Sequence, residues 1–326
     1  GINLWVVKFT GLLLILGMIV CWFIVPNYIF VLPVIIILAL STYIVNLLRG
    51  ITNNLERRRL AIYTLLLETV LKIFIFYAIQ HYLHPSAITI LIAILSASLI
   101  TASLLFVLVR RFEEYKIPKI KNFVAKEVTK FSYPISLGAV INWIQLQGYR
   151  MILVPLGLVE VVGIYGTVAN VGTSGMNAIS TVYSQLFVPN LYKSQGIYIK
   201  TYLKYALASV ILVFCVGYFL SDIIIGILTK HEFVKYSSLI VFGILSEAGN
   251  FLIGGLTIYL TIKNLTKVSM KASITGLIIF FLSFMGLYVF KMVNVYTIGI
   301  PIVLTQLVIV AYLGIIVYKS NIRQVL

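Results

Sequence analysis

Two glutamates raise the first chemical question. Glu68 and Lys72 sit in LLLETVLKIFIF, residues 65–76, and Glu247 sits near Asn250 in another apolar run. At i and i+4 on a helix, Glu68 and Lys72 share a face, in the order that favours pairing. A charge at the centre of a membrane helix costs about 2.5–3.5 kcal/mol on insertion scales. Two readings follow. The pair neutralises itself and does no more, or it lines a polar pathway, the default reading of an ionisable group inside a membrane. In the second, Lys72 attracts a phosphate or an acidic sugar. Glu68 or Glu247 then takes up a proton or a sodium ion (H+ or Na+).

Neutral polar residues form a second constellation. Asn142, Gln145 and Tyr149 fall on one helical face, with Arg150 somewhat round from it. Further on, Gly166, Asn170, Thr173, Ser174, Asn177, Thr181 and Ser184 recur at helical spacing, opposite Val168, Val171, Met176, Ile179 and Val182. Amides and hydroxyls do not face lipid, because leaving them unsatisfied is costly. They either join helices by hydrogen bonds or line a wet cavity. So wide a stripe, accompanied by Arg150 and Glu247, favours the cavity. Its chemistry suits a sugar, which hydrogen-bonds more than it ionises.

Other chemistries lack their residues. Asp222 is the sole aspartate among nine acidic residues, and the chain contains no DxD pair, P-loop or GxSxG. His81 and His84 are three apart, while His231 is distant, so interfacial histidines are expected rather than a metal site. Cys21 and Cys215 stand alone without CxxC spacing and read as inert thiols. Outer loops are short. These features argue against an enzyme, and no cofactor or metal is expected.

The elements that must position these residues follow from composition. The chain is 61% hydrophobic and 10% charged, with mean hydropathy +1.08. Soluble domains carry roughly 25% charged residues. A bilayer core of about 30 Å takes about 20 apolar helical residues to cross. Ten stretches suffice: 4–25, 28–48, 60–82, 87–109, 131–154, 161–187, 202–220, 236–262, 271–290 and 295–318. They lack the alternation of barrel strands, so the fold is expected to be an all-α polytopic membrane protein.

Charge gives the orientation. Arg49 and Arg57 to Arg59 follow the second stretch, a basic run from Arg110 to Lys130 follows the fourth, and Lys193, Lys200 and Lys204 follow the sixth. Lys263, Lys267 and Lys271 follow the eighth, with Lys319 and Arg323 after the tenth. Opposite loops hold only Lys230, Lys235 and Lys291. Loops after even-numbered helices are therefore expected to be cytoplasmic. This bias also accounts for the net charge of +16. Spread over five short loops without interleaved aromatics, it points to no nucleic-acid partner. The charged loop 111–130 separates an N-terminal bundle of four helices, 1–110, from a C-terminal bundle of six, 131–326. The chain begins at Gly1, and an even division would be six and six, so the first bundle is expected to lack two helices.

One stretch carries a family resemblance. FSYPISLGAVINWIQLQGYRMILVPLGLVEVVGIYGTVANVG, 131–172, resembles the start of the second half of Wzx-type polysaccharide flippases, of the multidrug/oligosaccharidyl-lipid/polysaccharide (MOP) exporter superfamily. It has the aromatic-x-x-Pro opening (Phe131, Pro134), Arg150 near the helix end, Gly157 and Glu160 in the turn, and Val162-Gly163-Ile164-Tyr165. Tyr149 stands where the family often has an acidic residue. The resemblance implies two pseudo-symmetric, MATE-like bundles in a bacterial or archaeal cytoplasmic (inner) membrane. It implies that an undecaprenyl-pyrophosphate-linked oligosaccharide of the O-antigen, capsule or teichoic-like kind is flipped to the outer leaflet by alternating access. Lys72 and Arg150 are then candidates for phosphate or acidic-sugar contact. Asn142, Gln145, Asn170 and Asn177 are candidates for sugar contact, and Glu68 and Glu247 for ion coupling. The implied partners are the lipid-linked oligosaccharide, membrane lipids and other glycan-assembly proteins. A cation-coupled multidrug exporter of the same superfamily is the first alternative. A membrane glycan polymerase or ligase is the second, and for it the chain shows no catalytic loop.

Overall fold

Apolar runs of this length satisfy all but their terminal backbone groups within a single helix, and the chain folds accordingly. The computed structural model describes residues 15, 19, 31–55, 57–82, 87–111 and 125–325, which are helices joined by short turns with no strand. Cys21, His84 and, apart from residues 15 and 19, the first apolar stretch fall outside these residues. Among those described, seven helical segments are long and apolar enough to cross a membrane: 33–53, 59–81, 88–110, 199–219, 231–262, 266–289 and 299–320. Two of the expected crossing segments, the fifth and sixth, are helical but are not among the seven. They are the two that carry the polar constellation, and their amides and hydroxyls lower the mean hydropathy. The chain divides into two compact units, Gly1–Ile120 and Lys121–Leu326.

In the first unit, α1 (Val31–Asn54), α2 (Arg58–Tyr82) and α3 (Ala87–Arg110) pack together, with α3 lying along both others. Small residues make this possible. Ala61, Ala93, Ala97, Ser98 and Thr101 are buried, and Val45, Leu48, Leu105 and Val109 close a small apolar core. Small side chains let helices approach where lipid offers no hydrophobic contrast. The outward face of α2 presents Tyr63, Leu66, Val70, Phe74 and Tyr77.

The second unit comprises α4 (Ala125–Leu153), α5 (Val159–Lys193), α6 (Ile199–Phe219), α7 (Ser221–Leu228), a 3₁₀ segment (His231–Leu239), α8 (Ile240–Ile262), α9 (Thr266–Val289) and α10 (Gly299–Val325). Helix α8 is the hub, packing on α5, α6, α9 and α10, while α9 also packs on α4. The α5–α8 contact is backbone to backbone. A Cβ at Gly243 would overlap the carbonyl of Ala169, and one at Gly172 would overlap that of Ile240. Thr173 bridges the same seam, its hydroxyl donating to the Gly243 carbonyl at 3.3 Å.

Helix ends are closed by a recurring device. At the end of α4, the Leu158 amide donates to the Leu153 carbonyl and the Gly157 amide to that of Val154, with φ +78° at Gly157. This is the Schellman arrangement, which satisfies carbonyls left orphaned at a helix C-terminus. The same pair of bonds ends α5 at Gln195, α8 at Asn264 and α9 at Lys291, all with positive φ. Two features were not anticipated. The short helix α7 follows the seventh span and is pinned by Asp222, which accepts from the Ser237 hydroxyl. Helix α4 begins at Ala125, so the last part of the expected linker loop is its first turn and a half.

Candidate functional site

Each unit holds one of the two glutamates, in contrasting surroundings. In the first unit, Glu68 is buried among three donors. One carboxylate oxygen meets Arg49 Nη2 at 2.5 Å; the other meets Lys72 Nζ at 2.7 Å and the Ser98 hydroxyl at 3.3 Å. Arg49 Nη2 also donates to the Thr64 carbonyl at 2.9 Å, and its Nε is buried without an acceptor. The i, i+4 pair is therefore real but is only half of the arrangement. Three helices contribute: α1 supplies Arg49, α2 supplies Glu68 and Lys72, and α3 supplies Ser98. Two cations against one carboxylate leave the cluster with a net charge of +1. Lys72 keeps 37% of its side-chain surface exposed, whereas Arg49 keeps 11%.

In the second unit, four helices assemble the polar residues. Asn142 of α4 donates from Nδ2 to Asn250 Oδ1 of α8 at 2.8 Å. Gln306 Nε2 of α10 donates to Asn142 Oδ1 at 3.3 Å. Asn250 Nδ2 in turn faces both Glu247 carboxylate oxygens, at 3.3 and 3.4 Å. Glu247 is 9% exposed, and among the described residues no cation lies within salt-bridge distance of it. It opens onto a cleft lined also by Gln147 and Tyr149 of α4, Tyr165, Asn170 and Thr173 of α5, and Ser246. The cleft measures about 50 Å³. At roughly 10–15 Å³ per water on this measure, it admits a few waters and no sugar ring.

The sequence-derived candidates distribute unevenly over this frame. Asn142, Glu247 and Asn170 come together at the network and its cleft. Gln145 is fully buried and reaches away from them, donating to the Ser273 carbonyl of α9 at 2.7 Å. Arg150 donates from Nε to the Tyr149 hydroxyl at 2.9 Å and has no carboxylate partner among the described residues. Tyr149 is buried, and its ring meets that of Tyr165 edge-on at 5.2 Å.

The polar stripe of α5 is outward-facing. Thr167, Asn170, Ser174 and Asn177 are exposed, while Gly166 is buried against the Tyr149 hydroxyl and Arg150. The stripe is thus centred about a quarter-turn from the expected face. Thr167 donates to the Gly163 carbonyl and Thr181 to Asn177 Oδ1 within the helix. Thr173, at its edge, bonds across to α8, and Ser184 bonds to Tyr202 of α6. Val168 and Met176 of the opposite face are fully buried, but Ile179 and Val182 are exposed.

Three participants escaped the sequence reading. Arg49 reads from the sequence as a loop cation, Ser98 carries no sequence signal of its own, and Gln306 lies alone in an apolar run. A single polar side chain inside a membrane segment was the available signal for Gln306. No protein-family model, no curated protein and no solved structure matches this chain.

Proposed function

We propose that the protein flips a lipid-linked oligosaccharide, of the undecaprenyl-pyrophosphate class, from the cytoplasmic to the outer leaflet. It would do so as a ten-helix, two-bundle transporter of the MOP type, by alternating access and without covalent chemistry. The observation that carries this reading is the exposed stripe of Thr167, Asn170, Ser174 and Asn177, whose amides and hydroxyls make no bonds to other helices among the described residues. Such groups recruit sugar hydroxyls. Arg150, which has no carboxylate partner among the described residues, and the accessible amine of Lys72 supply positive charge for a pyrophosphate or an acidic sugar.

A second reading, a cation-coupled multidrug exporter, is favoured by one observation. Glu247 is buried beside a cleft with no cation matched to it. The test is the leaflet distribution of lipid-linked oligosaccharide in cells lacking the protein, rescued with wild type, Lys72→Ala or Arg150→Ala. Accumulation on the cytoplasmic face, cleared by wild type but not by correctly inserted variants, is the expected outcome. No accumulation, together with drug hypersensitivity, would move the exporter to first place.

A further inference from the structure

The bonds joining Gln306, Asn142, Asn250 and Glu247 all run one way. Gln306 donates to Asn142, Asn142 to Asn250, and Asn250 to Glu247. A carboxamide cannot donate and accept with the same atom, so each bond fixes the orientation of the next side chain. The direction is set at one end only, because a carboxylate is acceptor-only. Opposite it, the far end is left incomplete: Gln306 Oε1 is buried with no donor.

We propose that Glu247 is a proton-binding site and that the amide chain reports its protonation state to α4 and α10. Protonated, the carboxyl gains an O–H and becomes a donor. Its nearest acceptor in the chain is Asn250 Oδ1, now occupied by Asn142. Turning Asn250 to accept that proton obliges Asn142 to turn, and then Gln306. At Gln306 the unpartnered buried atom changes from a carbonyl oxygen to an amide nitrogen. One proton at α8 thereby inverts hydrogen-bond polarity three links away, on a residue that does not touch Glu247.

The carboxylate's own contacts suit a proton: both of its oxygens face the amide N–H of Asn250, whose Oδ1 accepts from Asn142. The other titratable groups facing the cleft are Tyr149 from α4 and Tyr165 from α5; no charged side chain lines it besides Glu247. Arg150 lies behind Tyr149, bonded to its hydroxyl. The inference concerns this network alone and does not rest on what the protein transports.

Infrared difference spectroscopy of the full chain in proteoliposomes, titrated with acid in the absence of any substrate, tests it. A protonated-carboxyl band should appear on acidification and be lost in Glu247→Gln. That variant mimics the neutral acid in shape and should fold. Side-chain amide bands should change together with the carboxyl band. In Gln306→Met, which conserves volume, loss of the chain's first donor weakens the last bond. The ratio of protonated to ionised Glu247 at a fixed pH should then rise about twofold, given that polarisation adds about 10–30% per bond in such chains. A carboxyl band that survives Glu247→Gln refutes the proton site. Amide bands that stay silent in wild type, or a Gln306→Met titration that overlays the wild type, refute the relay. The wild-type titration decides the first of these even if Gln306→Met does not fold. Because no glycan is present, failure here leaves the flippase reading standing, and failure of that reading leaves this one.

Discussion

Arg49→Met is the most informative single change in the first unit. Arg49 keeps only 11% of its side-chain surface exposed, its guanidinium lies 2.5 Å from Glu68, and it also donates to the Thr64 carbonyl. Removing one partner of a buried ion pair costs about 3–5 kcal/mol, because the remaining charge stays buried. Here Lys72 remains at 2.7 Å from the other oxygen, so part of the compensation survives and we expect about 2–3 kcal/mol. Lys72→Met removes a cation that is more than a third exposed and leaves Arg49 in place; such partly solvated pairs are worth about 1 kcal/mol or less. The double variant Arg49→Met/Glu68→Gln removes both charges of the tighter pair, and at least half of the Arg49 loss should return, since removing both partners spares a stranded charge. Unfolding of the reconstituted protein by titration with SDS, followed by circular dichroism, supplies the three free energies. Equal losses for Arg49→Met and Lys72→Met, or a double variant weaker than Arg49→Met alone, would refute the ordering and with it the three-helix cluster.

The second unit offers contrasts of the same kind. Gly243→Ala should cost about 1–3 kcal/mol or more by forcing α5 and α8 apart, whereas a Cβ at Gly175 meets nothing within 4 Å and Gly175→Ala should be neutral or slightly stabilising in the same melting assay. Gln195 closes α5 with φ 52°; Gln195→Gly should stabilise by about 1 kcal/mol because a side chain in the left-handed region is strained, and an unchanged melting temperature would count against that cap. Asn170→Leu/Asn177→Leu should leave thermal stability within about 0.5 kcal/mol, as expected for exposed sites, while abolishing glycan flipping in the leaflet assay. A large stability loss would instead mean that the stripe joins helices.

Much of this frame was legible because membrane helices announce themselves by length and hydropathy, and turns by composition. What was not legible has physical reasons. Helical spacing relates residues on one helix, so it paired Glu68 with Lys72 but could not supply Arg49, which arrives from α1. Counting Arg49 as a loop cation followed from the end of the apolar run, yet α1 continues to Asn54. A helical wheel also gives relative angles without an origin. The origin of α5 is fixed by the backbone contact of Gly172 with α8, a tertiary event, and it turns Gly166 inward and Thr167 outward. Asn142 and Gln145 look alike at i and i+3, but their amides address different neighbours, Asn250 on α8 and the Ser273 carbonyl on α9. Helix α7 was hidden because Ser221–Leu228 continues the apolar character of the span before it.

The two embedded carboxylates divide their work by what surrounds them. Glu68 is matched by two cations and a hydroxyl from three helices, so removing its charge would strand Arg49 in an apolar setting. A group held in that way is suited to staying charged and tying helices together, with the spare positive charge left at Lys72. Among the described residues Glu247 is met by a neutral amide, through long bonds, beside a cleft large enough for a few waters. Adding a proton there strands no counter-charge and rearranges only dipoles, and the cleft has room for the waters that would deliver it. Of the two acids, Glu247 therefore has the chemistry of a site whose charge can change. Glu68 has that of an anchor whose charge must not.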